Sequence, residues 1–309
     1  MKLCDVLCDL RSDRVKKVIL DTDAYNEVDD QFAIAWAILE NGKKINLHSI
    51  NAAPFLNQLS KSPEEGMSKS YDEIFKLVKL IDESGYDIPY KASSVPVFKG
   101  STRFMTPDKE PVISDAAENI VKTVMESDEV VYVVAIGAIT NVASAIRMNP
   151  EIVNNMVVVW LGGHAWNWKI TDEFNMRQDV PAAQVVFDSK VPFVQIPCNG
   201  VCTALTTTAP ELKYYLEGKT ALSQYLCDNV VKEIADYDVR CRGRVIWDVS
   251  AMAMLLLKDC ADVVTLPTPF VTPMNRYAFD DGRHPMLMVR ALSRDKIFTE
   301  LFNKLTKRS

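Results

Sequence analysis

Short apolar runs alternate along this chain with segments whose apolar residues recur every three to four positions. Residues 18–20 (Val-Ile-Leu) read as a buried strand, and residues 32–36 (Phe-Ala-Ile-Ala-Trp) open an apolar helix. Residues 46–51 read as a second strand, and residues 68–83 place Tyr71, Ile74, Phe75, Val78 and Ile81 on one helical face. Residues 114–126 predict a helix with Ser114 as its N-cap. Residues 130–136 form a strongly apolar strand pattern, after which Gly137 to Ala143 turns into the next helix. Residues 156–161 predict a strand ending at Gly162 and Gly163; residues 181–187 follow as a helix, 193–196 as a strand and 251–257 as a helix. A closing strand from Met286 and a helix over 293–305 complete the series. Such alternation predicts an α/β chain, with a mostly parallel, Rossmann-like open sheet flanked by helices. The Ser/Pro/Lys-rich stretches 57–68 and 99–111 read as long loops within one domain, and no repeat or low-complexity linker interrupts the pattern. A single domain over 1–309 is expected, residues 1–16 being an N-terminal extension.

Composition narrows the class. Of 309 residues 48% are hydrophobic and 25% charged, the balance of a soluble globular protein. No apolar stretch approaches the roughly 20 residues that span a bilayer. The first 17 residues lack the layout of a signal peptide, so a cytoplasmic location and no membrane partner are the expectation. A net charge of −6 argues against nucleic acid as a partner and leaves a small neutral ligand open. The seven cysteines (4, 8, 198, 202, 227, 241 and 260) include no CxxC pair and read as free buried thiols rather than a zinc site.

The chemistry concentrates behind the first strand. Asp21, Asp23, Glu27, Asp29 and Asp30 bring five carboxylates into ten residues, where an open α/β sheet binds its ligands. Carboxylates so crowded raise one another's pKa unless a cation offsets them, and a hard divalent ion with oxygen ligands suits them. The plain alternative is a solvated turn whose Asp29 and Asp30 favour a helix N-terminus. The pattern resembles the N-terminal signature of the inosine–uridine-preferring nucleoside hydrolase family, DxDxGxDD followed by an apolar helix. Asp21, Asp23, Asp29 and Asp30 match its four aspartates. Five residues (24–28) stand between the second and third aspartates instead of the usual three, the glycine is missing, and Asn26 and Glu27 are additional polar groups.

Further blocks follow in the family's order. Residues 134–143, ending Thr140-Asn141-Val142-Ala143, are similar to a strand-to-turn segment whose backbone carbonyl ligates calcium, which implicates Ile136. Trp160-Leu161-Gly162-Gly163, Asn167, Glu173-Phe174-Asn175 and Asp179 resemble the family's Gly-rich strand end, loop asparagine and EFN-x-x-x-D block. By that resemblance Asn167 and Glu173 hydrogen-bond a ribose 5′-hydroxyl, Asn175 a 3′-hydroxyl, and Phe174 packs on the sugar. His164 reads as a loop-stabilising hydrogen-bond donor. Asp248 matches the last calcium carboxylate, while Trp247 stands where many members carry a base-protonating His. An indole does not titrate in water but stacks on a base. The resemblance covers about residues 17–306 and is poorest over 46–111, where Pro54-Phe55 replaces a Gly-Asn pair.

The resemblance implies the nucleoside hydrolase fold and a Ca²⁺-dependent N-ribosyl hydrolase for purine salvage or ribonucleoside catabolism. Asp23, Asp30, Asp248 and the Ile136 carbonyl would hold Ca²⁺, Asp23 would take a proton from water, and Asp29 would hold the 2′-hydroxyl. Trp247, Trp166 and Trp168 favour a purine, and the longer loop admits a modified one such as a 7-deazapurine. Relatives are commonly homodimers or homotetramers. Two rival readings are a calcium-dependent nucleoside- or ribose-binding protein without turnover, suggested by the missing His, and a Mg²⁺-dependent phosphohydrolase, suggested by DxD after a strand. The latter leaves the GG, EFN and WD blocks without a role.

Overall fold

The computed structural model describes residues 3–236 and 242–307. Five strands form where the apolar runs predict them, β1 (Lys16–Thr22), β2 (Ile45–Ala52), β4 (Val131–Ala135), β5 (Met156–Leu161) and β6 (Phe193–Ile196), and a short β3 (Val97–Lys99) forms where none was expected. Two short antiparallel pairs lie outside the main sheet, β7 (Thr206–Thr207) with β8 (Arg244–Val245) and β10 (Phe270–Val271) with β11 (Tyr277–Ala278). The main sheet also takes in β9 (Ala261–Pro267) and β12 (Pro285–Leu292), in the order β3-β2-β1-β4-β5-β6-β12-β9. All its pairings are parallel except that of β9 with β12 at the edge.

Period-two alternation splits each central strand between two cores. Leu20, Val134, Val159 and Val194 face one core; Ile19, Val133, Val158 and Phe193 face the other. Both faces are dry, which is why the strands read as continuous apolar runs rather than alternating ones.

The first core is covered by α1 (Leu3–Leu10), α2 (Asp30–Glu40), α3 (Pro63–Glu83), α8 (Ala209–Leu216), α9 (Ala221–Ala235), α10 (Val249–Leu256) and α11 (Arg294–Leu305). On the second face lie α4 (Asp115–Met125), α5 (Thr140–Met148), the short α6 (Phe174–Gln178) and α7 (Val180–Asp188). Every residue of α2 is buried, including Glu40, whose carboxylate is paired with Lys304 at 2.8 Å.

Three sequence expectations change. Residues 57–68 are not all loop, because α3 begins at Pro63. The Ser62 hydroxyl accepts from the Glu65 amide at 3.1 Å and proline occupies the first turn, where its missing N–H costs nothing. The Gly66 inside that turn packs on the Phe55 carbonyl, which a Cβ would approach to 2.0 Å. Residues 1–16 are not a bare extension: α1 buries Val6 and Leu10 in the first core. Of the cysteines, 198, 202, 227 and 260 are buried and free, Cys4 and Cys8 are free but exposed on α1, and Cys241 lies outside the described residues. No helix among the described residues is long and apolar enough to cross a membrane.

Candidate functional site

The chain leaves β1 toward β2 and β3 on one side of the sheet and returns to β4 on the other. This reversal opens a crevice beyond the carboxyl ends of β1 and β4. Parallel register sets Asp21 opposite Asn51 on β2 and Ala135 on β4. The Ile136 amide then donates to the Asp21 carbonyl at 2.9 Å, extending β4 by one residue into the crevice.

Asp21 is a buried brace. Its Oδ2 accepts from the Asn141 amide group at 2.9 Å, and Asn141 in turn accepts from the Ser101 amide and hydroxyl, both at 2.8 Å. Burial pushes its pKa up to about 7. Asp23 lies just past the strand end, buried, with neither carboxylate oxygen hydrogen-bonded. Burial, then the charge of Asp30, raises it well above the carboxylate range. Gly137 makes room for it, since a Cβ there would fall 2.8 Å from the Asp23 carboxyl carbon.

Asp29 and Asp30 start α2, and Asp248 precedes α10. One carboxylate oxygen from each lies within 4.8 Å of the others, all three being buried. Thr22 donates to Asp30 at 2.5 Å; burial and then the Asp29 charge lift Asp30 to about 8. Asp29 rises to about 6 through burial, held down by Arg244. Its Oδ2 accepts the Trp247 amide at 2.8 Å and its Oδ1 faces Arg244 at 3.4 Å. The nearly buried Arg244 guanidinium also binds Glu27, from the lengthened loop, and Glu233 of α9 at 3.0 Å. The two added loop residues thus bring a carboxylate to an arginine that stands behind Asp29.

The opposite wall comes from the segment after β5. Glu173 caps α6, accepting from the Gly163, Asn175 and Met176 amides at 2.8, 2.9 and 2.8 Å and from the Cys198 thiol. Asn175 donates to the Ile136 and Leu161 carbonyls at 3.1 and 3.0 Å, tying this wall to the ends of β4 and β5. His164 accepts the Asn199 amide on Nδ1 at 3.2 Å, with Nε2 3.3 Å from the Asn199 side chain.

These walls enclose a cavity of about 270 Å³. Asp23, Asp29, Asp30, Ile136, Glu173, Phe174, Asn175, Trp247 and Asp248 all line it. Asn167 does not. A turn closed by the Trp168 amide on the Ala165 carbonyl at 2.7 Å carries Asn167 on its outer corner, exposed. Trp166 and Trp168 are also outside the lining. The Trp166 indole donates to Gln195 at 3.1 Å and packs with Tyr277 and Phe279, while Trp168 is 44% exposed. Only Trp247 of the three lines the cavity.

Lining residues that sequence reasoning passed over are Leu161, Ile170, Asp172, Cys198 and Asn199. Cys198 and Asn199 follow the end of β6, so their position past a parallel strand was the available signal. Arg244 had none, being one of three arginines over residues 240–244.

The donor set fits a hard divalent cation. The cluster of Asp29, Asp30 and Asp248 offers only oxygens, its charges are buried and mutually repelling, and Asp23, outside that cluster but lining the same cavity, has two unpartnered oxygens that a cation would meet. Among the described residues the cationic side chain paired with these carboxylates is Arg244, which reaches Asp29 alone of them.

An open α/β sheet with an oxygen-lined acidic crevice at its strand reversal defines a cation-competent ligand-binding chain. Residues 18–283 match the family described as inosine-uridine preferring nucleoside hydrolase, and the chain belongs to that family. It is 36% identical over 104 residues to the putative pyrimidine-specific ribonucleoside hydrolase RihB of Shigella boydii serotype 4 (strain Sb227), covering 33% of this chain and 40% of that protein. Identity to the pyrimidine-specific ribonucleoside hydrolase RihA of Enterobacter sp. (strain 638) is 40% over 91 residues, 28% of this chain and 29% of that protein. The matches thus span less than half the length of these curated relatives. Among solved structures, the purine-preferring ribonucleoside hydrolase from Gardnerella vaginalis superposes with a TM-score of 0.73 at 20% identity, over 95% of this chain and 99% of that one. The inosine-uridine preferring nucleoside hydrolase from Bacillus anthracis gives 0.66 at 17% identity, over 95% and 100%. These likenesses establish the nucleoside hydrolase fold.

Proposed function

We propose that the protein hydrolyses the N-glycosidic bond of a ribonucleoside, yielding ribose and a free base, with Ca²⁺ as its ion. The observation that carries this reading is Asp23: a buried carboxylate with both oxygens unpartnered, facing a wall of sugar-sized polar groups. Asp23, Asp30, Asp248 and the Ile136 carbonyl would hold Ca²⁺, which would acidify an attacking water and orient the sugar hydroxyls. Asp23 takes the proton of that water as its oxygen approaches C1′. Asp29, fixed by the Trp247 amide and Arg244, accepts from the 2′-hydroxyl. Asn175 meets the 3′-hydroxyl, and Glu173 accepts the 5′-hydroxyl in place of the Cys198 thiol. Phe174 covers the sugar. Hydroxyl contacts of this kind tighten as positive charge develops on the ribose ring.

Trp247 supports a purine or modified purine, and it does so alone, since Trp166 and Trp168 are directed elsewhere. The whole chain, α1 included, acts as one domain in this reading, in a cytoplasmic homodimer or homotetramer. Base release from a ribonucleoside panel, followed by chromatography with and without chelator, tests it. Chelator-sensitive release that Asp23→Ala abolishes is expected. Nucleoside binding by calorimetry without any release would favour the second reading, a binding protein, for which the non-titrating Trp247 is the supporting feature.

A further inference from the structure

A departing base must dispose of the electron pair of the broken C1′–N bond. Neutral bases do so well only when a proton is delivered to them. Among the described lining residues outside the proposed cation and sugar contacts the candidate donors are few, and each is committed. The Trp247 indole does not titrate. His164 has both ring nitrogens engaged by Asn199, and burial holds it toward its neutral form. The Cys198 thiol is turned onto Glu173. Glu27 and Asp172 are ion-paired with Arg244 and Arg177.

The wall charge points the same way. Seven of the described lining residues carry carboxyl groups and none is a lysine or arginine. A divalent cation, the Arg244 guanidinium behind Asp29 and the Arg177 guanidinium beside Asp172 offset only part of that charge. Glu27 and Asp172, standing apart from the proposed cation and sugar contacts, line the rest of the cavity together with Trp247. An indole face beside carboxylates attracts a flat cation.

We infer that the site takes ribonucleosides whose base carries a fixed positive charge, a ring quaternised at nitrogen. This inference rests on the hydrolase reading and names its substrate class. The water oxygen forms the new bond to C1′ and passes a proton to Asp23. The C1′–N pair stays on the ring, cancels its positive charge, and the base leaves without needing a proton. Asp23 then releases its proton to solvent.

The test compares 7-methylguanosine with guanosine, which differ by one methyl group and one charge, on the full chain supplied with Ca²⁺. Nicotinamide riboside serves as a small cationic ring beside uridine as a small neutral one. A kcat/KM ratio of about 100 in favour of each cation is expected, the size of a missing proton-donor contribution. Ratios under about tenfold would overturn the inference while leaving the hydrolase intact, whereas no release from any of the four substrates would sink the hydrolase reading itself. Trp247→His, which places a titrating ring in the cavity wall, is expected to shrink the 7-methylguanosine to guanosine ratio by about tenfold; an unchanged ratio would count against the inference.

Discussion

Gly137 has no room for a side chain, since a Cβ would lie 2.8 Å from both Cγ and Oδ1 of Asp23. Its backbone needs no unusual φ, so the requirement is the close approach of the carboxylate alone. Gly137→Ala should therefore displace Asp23 and little else. The expected result is a loss of about 100-fold in kcat/KM, typical of a misplacement of about 1 Å, with a melting temperature near that of the parent. Steady-state kinetics beside a thermal melt would check it, and undiminished turnover would show that Asp23 is not where the chemistry happens. Single residues also show where the sequence was legible. The four aspartates and Asp248 announced themselves through density and position after apolar runs. Asn167 did not behave as its spacing suggested, because a tight turn faces it outward. Arg244 was hidden, because its partners Glu27, Asp29 and Glu233 come together only in the folded chain.

At the scale of elements, Asp179 fastens two helices and a loop. Its Oδ1 caps α7 through the Ala182 amide at 3.0 Å, and its Oδ2 accepts from Thr140 at the start of α5 at 2.6 Å and from the Met105 amide at 2.8 Å. Removing it leaves buried donors without partners, so Asp179→Ala should destabilise by about 3 kcal/mol in a denaturant titration. Ser62→Ala, which removes a partly exposed cap from α3, should cost only about 1 kcal/mol. Equal losses for the two would mean that the Asp179 ties are not made. Elements buried on both faces were readable because burial leaves unbroken apolar runs, as in β4 to β6. The amphipathic α8 and α9 and the half-exposed edge strand β9 mix polar and apolar residues and gave no such signal. Antiparallel placement of β9 depends on its partner β12, which local pattern does not encode.

For the molecule as a whole, the buried acids link stability to pH and to the cation. Burial raises Asp29, Asp21 and Asp30 to about 6, 7 and 8, above the range of near 4 they have in an unfolded chain. Between those limits the folded state binds more protons than the unfolded one, so stability falls as pH rises. With chelator present, the melting temperature should drop between pH 5 and about 8.5. Saturating Ca²⁺ should raise it most at the alkaline end, since an ion that binds only the folded state stabilises it. Calorimetric melts across that range would decide, and a metal-free melting temperature that climbed with pH would contradict the buried-acid picture. The same charges bear on how the protein is made. Arg244 reaches Glu27 across 217 positions of the chain. At ordinary rates of synthesis a ribosome delivers the acidic loop roughly 10 to 40 seconds before the arginine that braces it. Asp248, the last of the proposed cation ligands, follows Arg244 by only four residues, so the arginine brace and the completed cation site become available to the growing chain together.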